Sequence, residues 1–139
     1  MGDPAGVGPE LALKALASPE IQAICTPILF GDAAVLESVA QKLDLVMPEI
    51  CIPYSEISRV GEQVKHAKSP ILLDFELIDS SHFEPGMINA ATGNASFQYF
   101  AAAIAAAKSN VVDAIVTGPI NKEAINLAGF RYPGHTEIL

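Results

Sequence analysis

Short apolar runs that alternate with helix-forming segments constrain the fold of this chain more than any other feature. The runs have the length and composition of strands and lie at residues 27–30, 49–52, 70–75 and 114–117. Apolar residues recur at helical spacing between them, at residues 11–16, 33–43, 96–109 and 124–128. Strands that alternate with helices indicate a mostly parallel sheet with helices on both faces. The sequence therefore predicts an α/β fold.

The sequence also predicts two helix starts, and it contains two segments without a clear helix or strand pattern. Ser18 is expected to cap a short helix, and Asp32 is expected to be the N-cap of the helix at 33–43. Residues 53–69 have mixed polarity and predict a surface segment with about one helical turn. Residues 76–94 predict a long polar connection, and loops of that length are often functional.

Charge and hydropathy narrow the classes of partner. Eight Lys and Arg against 16 Asp and Glu give a net charge of −8, which is the wrong sign for binding nucleic acid or an anionic membrane. The longest apolar stretch, residues 99–107, is shorter than the ~20 residues of a membrane span. Cys25 and Cys51 form no CxxC pair, so we expect reduced core cysteines in a soluble cytoplasmic protein.

The glycine-rich segment at residues 2–10, Gly-Asp-Pro-Ala-Gly-Val-Gly-Pro-Glu, leads into the first helix. Its spacing matches neither a GxGxxG fingerprint nor a P-loop. Two interpretations stay open: the glycines admit a phosphate or a cofactor edge, or they form a tight strand-to-helix connection. A turn of this kind normally follows a strand, so we expect a strand before Gly2, and its absence predicts an incomplete domain.

The carboxyl-terminal stretch, residues 113–139, carries the strongest site signal. The run at 114–117 predicts a strand buried on both faces, followed by Gly118-Pro119 and a helix that begins near Asn121 and stops at Gly129. Tyr132-Pro133-Gly134 then begins a second break before another helix start. Two helix N-termini just past the end of a parallel strand favour an anion.

Several side chains of this stretch are candidates for contact with that anion. His135 and Thr136 offer an imidazole and a hydroxyl, and Lys122 and Asn121 lie on the neighbouring turn. For Lys122, a solvated helix-end lysine is an equal alternative.

Other titratable residues are weaker candidates. His66 and His82 are expected at the surface. Glu137 and Asp113 could act as acid or base, but an acidic residue at a helix start more often stabilises the helix dipole. No His, Cys, Asp or Glu spacing indicates a metal site in this sequence.

Three motifs in order resemble the amino-terminal part of the 4-hydroxythreonine-4-phosphate dehydrogenase family. They are residues 2–10, residues 117–124 (Thr-Gly-Pro-Ile-Asn-Lys-Glu-Ala) and residues 132–137 (Tyr-Pro-Gly-His-Thr-Glu). The first motif also resembles a turn of the isocitrate and isopropylmalate dehydrogenases, whose fold the family shares. The resemblance implies that residues 1–139 form a single partial α/β domain of a longer two-domain enzyme, without its preceding strand and downstream domain.

The resemblance also implies a reaction, cofactors and a site. The reaction is NAD-dependent oxidation and decarboxylation of 4-phosphohydroxy-L-threonine to 3-amino-2-oxopropyl phosphate in pyridoxal phosphate (vitamin B6) biosynthesis. His135 and Thr136 match the family's substrate contacts. A divalent metal (Zn, Mg or Co) would be held by three histidines beyond Leu139, and a homodimer is expected of the full-length protein.

Three alternatives remain beside this interpretation. A paralogue of the family would oxidise another phosphorylated hydroxy acid or a cyclic diol. A phosphotransacetylase-like protein, which has a related fold, would transfer an acyl group to phosphate without NAD. An inactive fragment would keep the fold without the chemistry.

Overall fold

The computed structural model describes residues 1–79 and 84–131. Its described strands are β1 (Ile28–Gly31), β2 (Ile50–Pro53) and β3 (Ile71–Asp74). Its described helices are α1 (Gly8–Ala17), α2 (Pro19–Ile24), α3 (Ala33–Leu43), α4 (Ile57–Lys65), α5 (Ala90–Lys108) and α6 (Lys122–Leu127), with a short 3₁₀ helix at Tyr54–Glu56 before α4. None of these helices combines the length and the apolar character that crossing a bilayer requires.

The three described strands form a parallel sheet in the order β1-β3-β2. Ile71 of β3 pairs with Ile28 of β1 and with Ile50 of β2. The central strand is buried on both faces, as its unbroken apolar sequence predicts. The prediction of an α/β fold with a parallel sheet is confirmed.

Helices cover both faces of the sheet. Side chains alternate along β3, so Ile71 and Leu73 join one core cluster and Leu72 joins the other. The first cluster contains Tyr99 and other residues of α5 together with Val60 and Val64 of α4. The second is formed with residues of α1 and α3, namely Leu13, Leu16, Leu36 and Ala40. These two clusters are the hydrophobic core.

Residues 114–117 do not form the buried strand that their composition predicts. They are irregular, and the side chain of Val116 is 97% exposed. An apolar run becomes a strand only when a neighbouring strand takes up its backbone hydrogen bonds. Among the described strands, none pairs with residues 114–117: β1 and β2 are both edge strands, and each pairs with β3. The prediction was therefore wrong for want of a partner.

Two helices are longer than the sequence indicated. Residues 57–65 form α4, which buries Val60 and Val64, whereas one turn was predicted. Helix α5 begins at Ala90 instead of residue 96, with the Asn89 side chain accepting a 2.9 Å hydrogen bond from the Thr92 amide. Both errors arose because a glycine inside each helix was taken as a breaker. The connection predicted at residues 76–94 therefore ends at Asn89.

The two cysteines are free, but both are exposed, so the prediction of core positions was wrong. Cys51 lies on β2, whose other side has no described strand and whose residues are mostly exposed. Cys25 directly follows α2, which buries none of its residues. Apolar neighbours in sequence do not guarantee burial at a sheet edge or a helix end.

Asp32 is buried, yet its side chain does not cap α3. Its carboxylate accepts hydrogen bonds from the Ile78 amide at 3.1 Å, from the Leu77 amide and from the Tyr99 hydroxyl. The cap is supplied across the sheet by Asp74, which accepts from the Ala33 amide at 3.0 Å. Asp32 thereby ties the end of β1 to α5 and to the segment after β3.

The wild type is expected to lose unfolding free energy as the Asp32 carboxyl ionises with rising pH. Asp32→Asn is expected to remove this loss, because asparagine does not ionise. Burial raises the pKa of Asp32 despite its hydrogen bonds, so the folded state holds the proton more tightly than the unfolded state. Stability therefore declines as pH rises from the unfolded pKa of about 4 through the folded pKa. Urea unfolding across this pH range should show that the unfolding free energy of the variant increases relative to that of the wild type as pH rises. A constant difference would contradict the prediction, and Asp113→Asn, at an exposed position, is the control.

Candidate functional site

Three loops meet at the carboxyl end of β1, and we call them the loop junction: residues 2–8, 84–89 and 117–121. The Asp3 amide donates to the Pro119 carbonyl at 2.9 Å, and the Gly86 amide donates to the Ala5 carbonyl at 2.7 Å. Met1 packs against Gly31, the last residue of β1. Ligands of open α/β sheets bind at this edge, so the junction lies where a site is expected.

Gly2 of the first loop and Gly118 of the third loop are required by the close packing of these two loops. A Cβ at Gly2 would lie well inside 3 Å of the Pro119 carbonyl oxygen, and one at Gly118 would clash with the Met1 carbonyl. Gly2 also has a φ of 83°, which L side chains rarely adopt. These contacts support the interpretation of a tight connection over that of a phosphate cradle at Gly2.

Asp3 fastens the first loop to the start of α5, a role that the sequence analysis missed. Its carboxylate accepts a 3.0 Å hydrogen bond from the Ala5 amide and lies within hydrogen-bonding reach of the Thr92 hydroxyl. The side chain is buried, and this burial raises the pKa of Asp3. An aspartate after glycine that bonds the backbone two residues on is typical of an Asx turn, which was the available signal.

Helix α6 carries the two described candidate residues. The Asn121 side-chain oxygen accepts a 3.0 Å hydrogen bond from the Ala124 amide, so Asn121 caps α6, which begins where the sequence predicts a helix start. The amide nitrogen of an asparagine is a donor, and it is the group that an anion would use. Lys122 is the first residue of α6 and is exposed. Both residues directly follow the third loop of the junction.

Close contact between α5 and α6 sets the position of these candidates. Gly93 of α5 lies against the backbone of α6, where a Cβ would overlap the carbonyl group of Ala124. Ala124 and Ile125 are buried in this contact. Gly129 ends the segment with a φ of 90°, as its sequence position predicts. The helix that holds Asn121 and Lys122 is therefore fixed to the scaffold by its apolar face.

The remaining candidates fall into two groups. His135, Thr136 and Glu137 lie outside the described residues, as does His82, so their roles stay predictions. His66 is exposed at the end of α4 with its Nε2 3.5 Å from the Glu62 carboxylate, and Asp113 is exposed. Neither of these two residues reaches the loop junction through a hydrogen bond that the structure shows.

A second hollow lies at the carboxyl ends of β2 and β3. Tyr54 and Phe75 are stacked along it, with ring centroids 4.0 Å apart. Asn94 and Gln98 of α5 line it with amide groups. This hollow is an alternative position for a small ligand. It lies beyond the ends of β2 and β3, whereas the loop junction lies beyond the end of β1.

The described residues do not by themselves fit a metal. Within residues 1–79 and 84–131, no group of three or more His, Cys, Asp or Glu side chains is placed to hold an ion. The Asp3 carboxylate of the junction is taken up by a hydrogen bond within its own loop. A metal bound to the protein would need ligands from other residues.

Comparison with known proteins places these observations in a family. Residues 23–139 match the profile of the family described as "Pyridoxal phosphate biosynthetic protein PdxA". A Symbiobacterium thermophilum protein named "Putative D-threonate 4-phosphate dehydrogenase" is 41% identical over 99% of the chain, and a Clostridium botulinum protein of the same name is 35% identical over 100%. The chain spans about 40% of the length of both relatives.

Solved structures agree with this assignment. A 4-hydroxythreonine-4-phosphate dehydrogenase from Burkholderia phymatum superposes on the whole chain with a TM-score of 0.84 and 36% identity. The enzyme of the same name from Klebsiella pneumoniae gives a TM-score of 0.82 and 33% identity over 99% of the chain. The chain covers 40% of each of these structures. With the profile matching most of its length, the chain belongs to the PdxA family of pyridoxal phosphate biosynthetic proteins.

Proposed function

We propose that residues 1–139 form the first domain of a dehydrogenase that oxidises the hydroxyl group of a phosphorylated hydroxy acid with NAD. The observation that carries the proposal is the loop junction, which gathers two of the three family motifs at the ligand-binding edge of a parallel sheet. The names of the relatives and of the solved structures support the same substrate class.

The proposed roles of the side chains follow from their chemistry. His135 and Thr136 contact the substrate, and the Lys122 ammonium and the Asn121 amide attract its phosphate. The α5 contact holds the backbone at the start of α6, and the Asn121 side chain is further fixed by its bond to the Ala124 amide. The divalent metal of the reaction and most of the NAD site would come from residues beyond Leu139.

Two substrates deserve direct comparison. The leading candidate is 4-phosphohydroxy-L-threonine, whose oxidation and decarboxylation would give 3-amino-2-oxopropyl phosphate for vitamin B6 biosynthesis. The second is D-threonate 4-phosphate, favoured by the name of the 41% identical relative. The two acids share a C4 phosphate and a C1 carboxylate but carry an amine or a hydroxyl at C2. Specificity therefore depends on whether the groups facing C2 accommodate a cation.

A chimera tests the reaction. Residues 1–139 are joined to the remainder of the Symbiobacterium relative, and NADH formation is measured with each acid, with and without a metal chelator. We expect NADH formation with at least one acid and its loss on chelation. No NADH with either acid, in a chimera that folds and dimerises, would contradict the proposal. Acyl transfer from acetyl-CoA to phosphate by the same chimera would favour the phosphotransacetylase-like alternative.

His135→Ala in this chimera is expected to lower kcat/KM by about 10- to 100-fold, because a hydrogen bond to a charged group contributes about 1.5–3 kcal/mol. His66→Ala, at an exposed histidine of α4, is the matched control and should leave the kinetics unchanged. Equal kinetics for the two variants would remove His135 from the site.

A further inference from the structure

Two phenylalanine rings join the end of α6 to α5, and we call them the aromatic clasp: Phe97 of α5 and Phe130, which follows the stop at Gly129. The rings are stacked, with centroids 3.9 Å apart and an interplanar angle of 14°. Both side chains are partly buried. Among the described residues, neither ring is a member of the two core clusters. The clasp therefore stabilises the attachment of α6 more than the sheet itself.

Helix α6 ends in a backbone motif that directs Phe130 toward α5. The Phe130 amide donates to the Ile125 carbonyl at 3.2 Å, and the Gly129 amide donates to the Asn126 carbonyl at 3.0 Å. This pair of bonds, with Gly129 in the left-handed region, is a Schellman motif. The residue after the glycine commonly makes an apolar contact beside the last turn. In this chain the ring of that residue meets Phe97 of the neighbouring helix.

One face of α5 holds both ends of α6. Gly93 and Phe97 are four residues apart, so they lie one above the other on the same face of α5. Gly93 admits the backbone of Ala124 near the start of α6, and Phe97 meets Phe130 beyond its end. A helix of six residues is too short to be stable alone. Its position therefore depends on these two contacts.

The position of Phe130 limits where the third family motif can lie. His135 and Thr136 follow Phe130 by five and six residues. Because an extended chain advances at most about 3.6 Å per residue, their backbones lie within about 22 Å of Phe130. Each residue released before the motif would add up to about 3.6 Å to that reach. The clasp thus restricts the volume in which these two side chains can meet a ligand.

We propose that the aromatic clasp is a positioning element for the substrate: it fixes the start of the segment that carries His135 and Thr136 relative to Asn121 and Lys122. The inference rests on the proposed function, in which these four side chains contact the phosphorylated hydroxy acid. The two rings act through the residues that they hold and do not themselves contact the substrate. Displacement of a contact by about 1 Å can cost a reaction about 100-fold, so the loss of the clasp should be measurable.

Phe130→Ala in the chimera tests this role. We expect the KM of the phosphorylated acid to rise about 10-fold, because its contacts are no longer held in place, while the KM of NAD stays within about twofold. Phe97→Ala removes the same stack and should raise the KM of the acid as well. Phe130→Tyr keeps the ring and should restore wild-type values. An unchanged KM for the acid in Phe130→Ala would contradict the proposal. If that variant does not fold, Phe130→Leu, which keeps apolar bulk without the ring, takes its place.

A destabilised control separates positioning from folding. Val64 of α4 belongs to the first core cluster, which contains no described residue of α6. Val64→Ala should therefore lower the urea midpoint of the chimera and leave both KM values unchanged. If it raises the KM of the acid as much as Phe130→Ala does, the clasp has only a structural role and the proposal fails.

A double variant tests whether the clasp acts through the motif residues. Phe130→Ala should cost less in a His135→Ala chimera than in the wild type. The loss of kcat/KM in the double variant should then be at least about threefold smaller than the product of the two single losses. Single losses that multiply in full would show that the clasp acts elsewhere, against the proposal.

Hydrogen exchange in the chimera distinguishes failure of this inference from failure of the proposed function. In Phe97→Ala, exchange at the Phe130 amide, which bonds the Ile125 carbonyl, should speed up by at least about 10-fold while exchange in β3 is unchanged. A wild-type chimera that makes no NADH rejects the proposed function, and the positioning role with it. An active chimera in which Phe130 exchange and the KM of the acid are both unaffected rejects the positioning role alone.

Discussion

Gly93→Ala is expected to destabilise the chain by about 3 kcal/mol or more, although alanine normally favours a helix interior. The reason is the contact between α5 and α6: a Cβ at residue 93 would overlap the Ala124 carbonyl group. The atoms that this Cβ would meet belong to the backbone of α6, so no side chain can move aside to relieve the overlap. Helix α6 would have to separate from α5 and expose the buried Ala124 and Ile125. Urea unfolding monitored by circular dichroism measures the loss.

Gly61→Ala is the matched control, since residue 61 is also a glycine inside a helix. The nearest atom that its Cβ would meet is Val111 Cγ2 at 4.0 Å, which is ordinary contact. Here helix propensity should dominate and stabilise the chain by about 0.5–1 kcal/mol. Opposite signs for the two substitutions are the expected result. A Gly93→Ala variant as stable as the wild type would refute the close contact that positions Asn121 and Lys122.

The second large effect is expected from Gly118→Ala, at the centre of the loop junction. The added Cβ would collide with the Met1 carbonyl, so residues 117–121 must move away from the first loop. We expect a loss of about 1–3 kcal/mol of unfolding free energy, the usual range for overpacking, and loss of the Asp3–Pro119 hydrogen bond. Hydrogen exchange at the Asp3 amide, measured beside urea unfolding, reports that bond directly.

Val116→Ala serves as the control two residues earlier in the same segment. Its side chain is 97% exposed, so truncation should change stability by no more than about 0.5 kcal/mol. If Gly118→Ala leaves both stability and Asp3 exchange unchanged, the first and third loops are not held together as described.

Local signals predicted the parts of the fold that depend on neighbouring residues. The cap at Ser18, the helix start near Asn121 and the left-handed stop at Gly129 each require only a few consecutive residues, and the structure shows all three. The three described strands lie within about two residues of their predicted bounds for the same reason.

Features set by distant residues were not predictable in this way. The sequence predicted a loop position for Gly93. Its lack of a side chain instead allows close contact between α5 and α6, and that contact cannot be read from the residues around Gly93. Asp32 occupies the predicted N-cap position of α3, but the side-chain hydrogen bond to the helix start comes from Asp74, because the sheet brings β3 beside it. The spacing of 2–10 left two interpretations open, and only the contact with Pro119 favoured one. His135 and Thr136 came from the family motif and remain predictions.

A crystal structure of the chimera with its phosphorylated hydroxy acid bound would test the central claim most directly. We expect the phosphate at the loop junction, within hydrogen-bonding distance of at least one donor among Asn121, Lys122, His135 and Thr136. A phosphate bound instead in the hollow beside Tyr54 and Phe75, with the loop junction empty, would contradict the account.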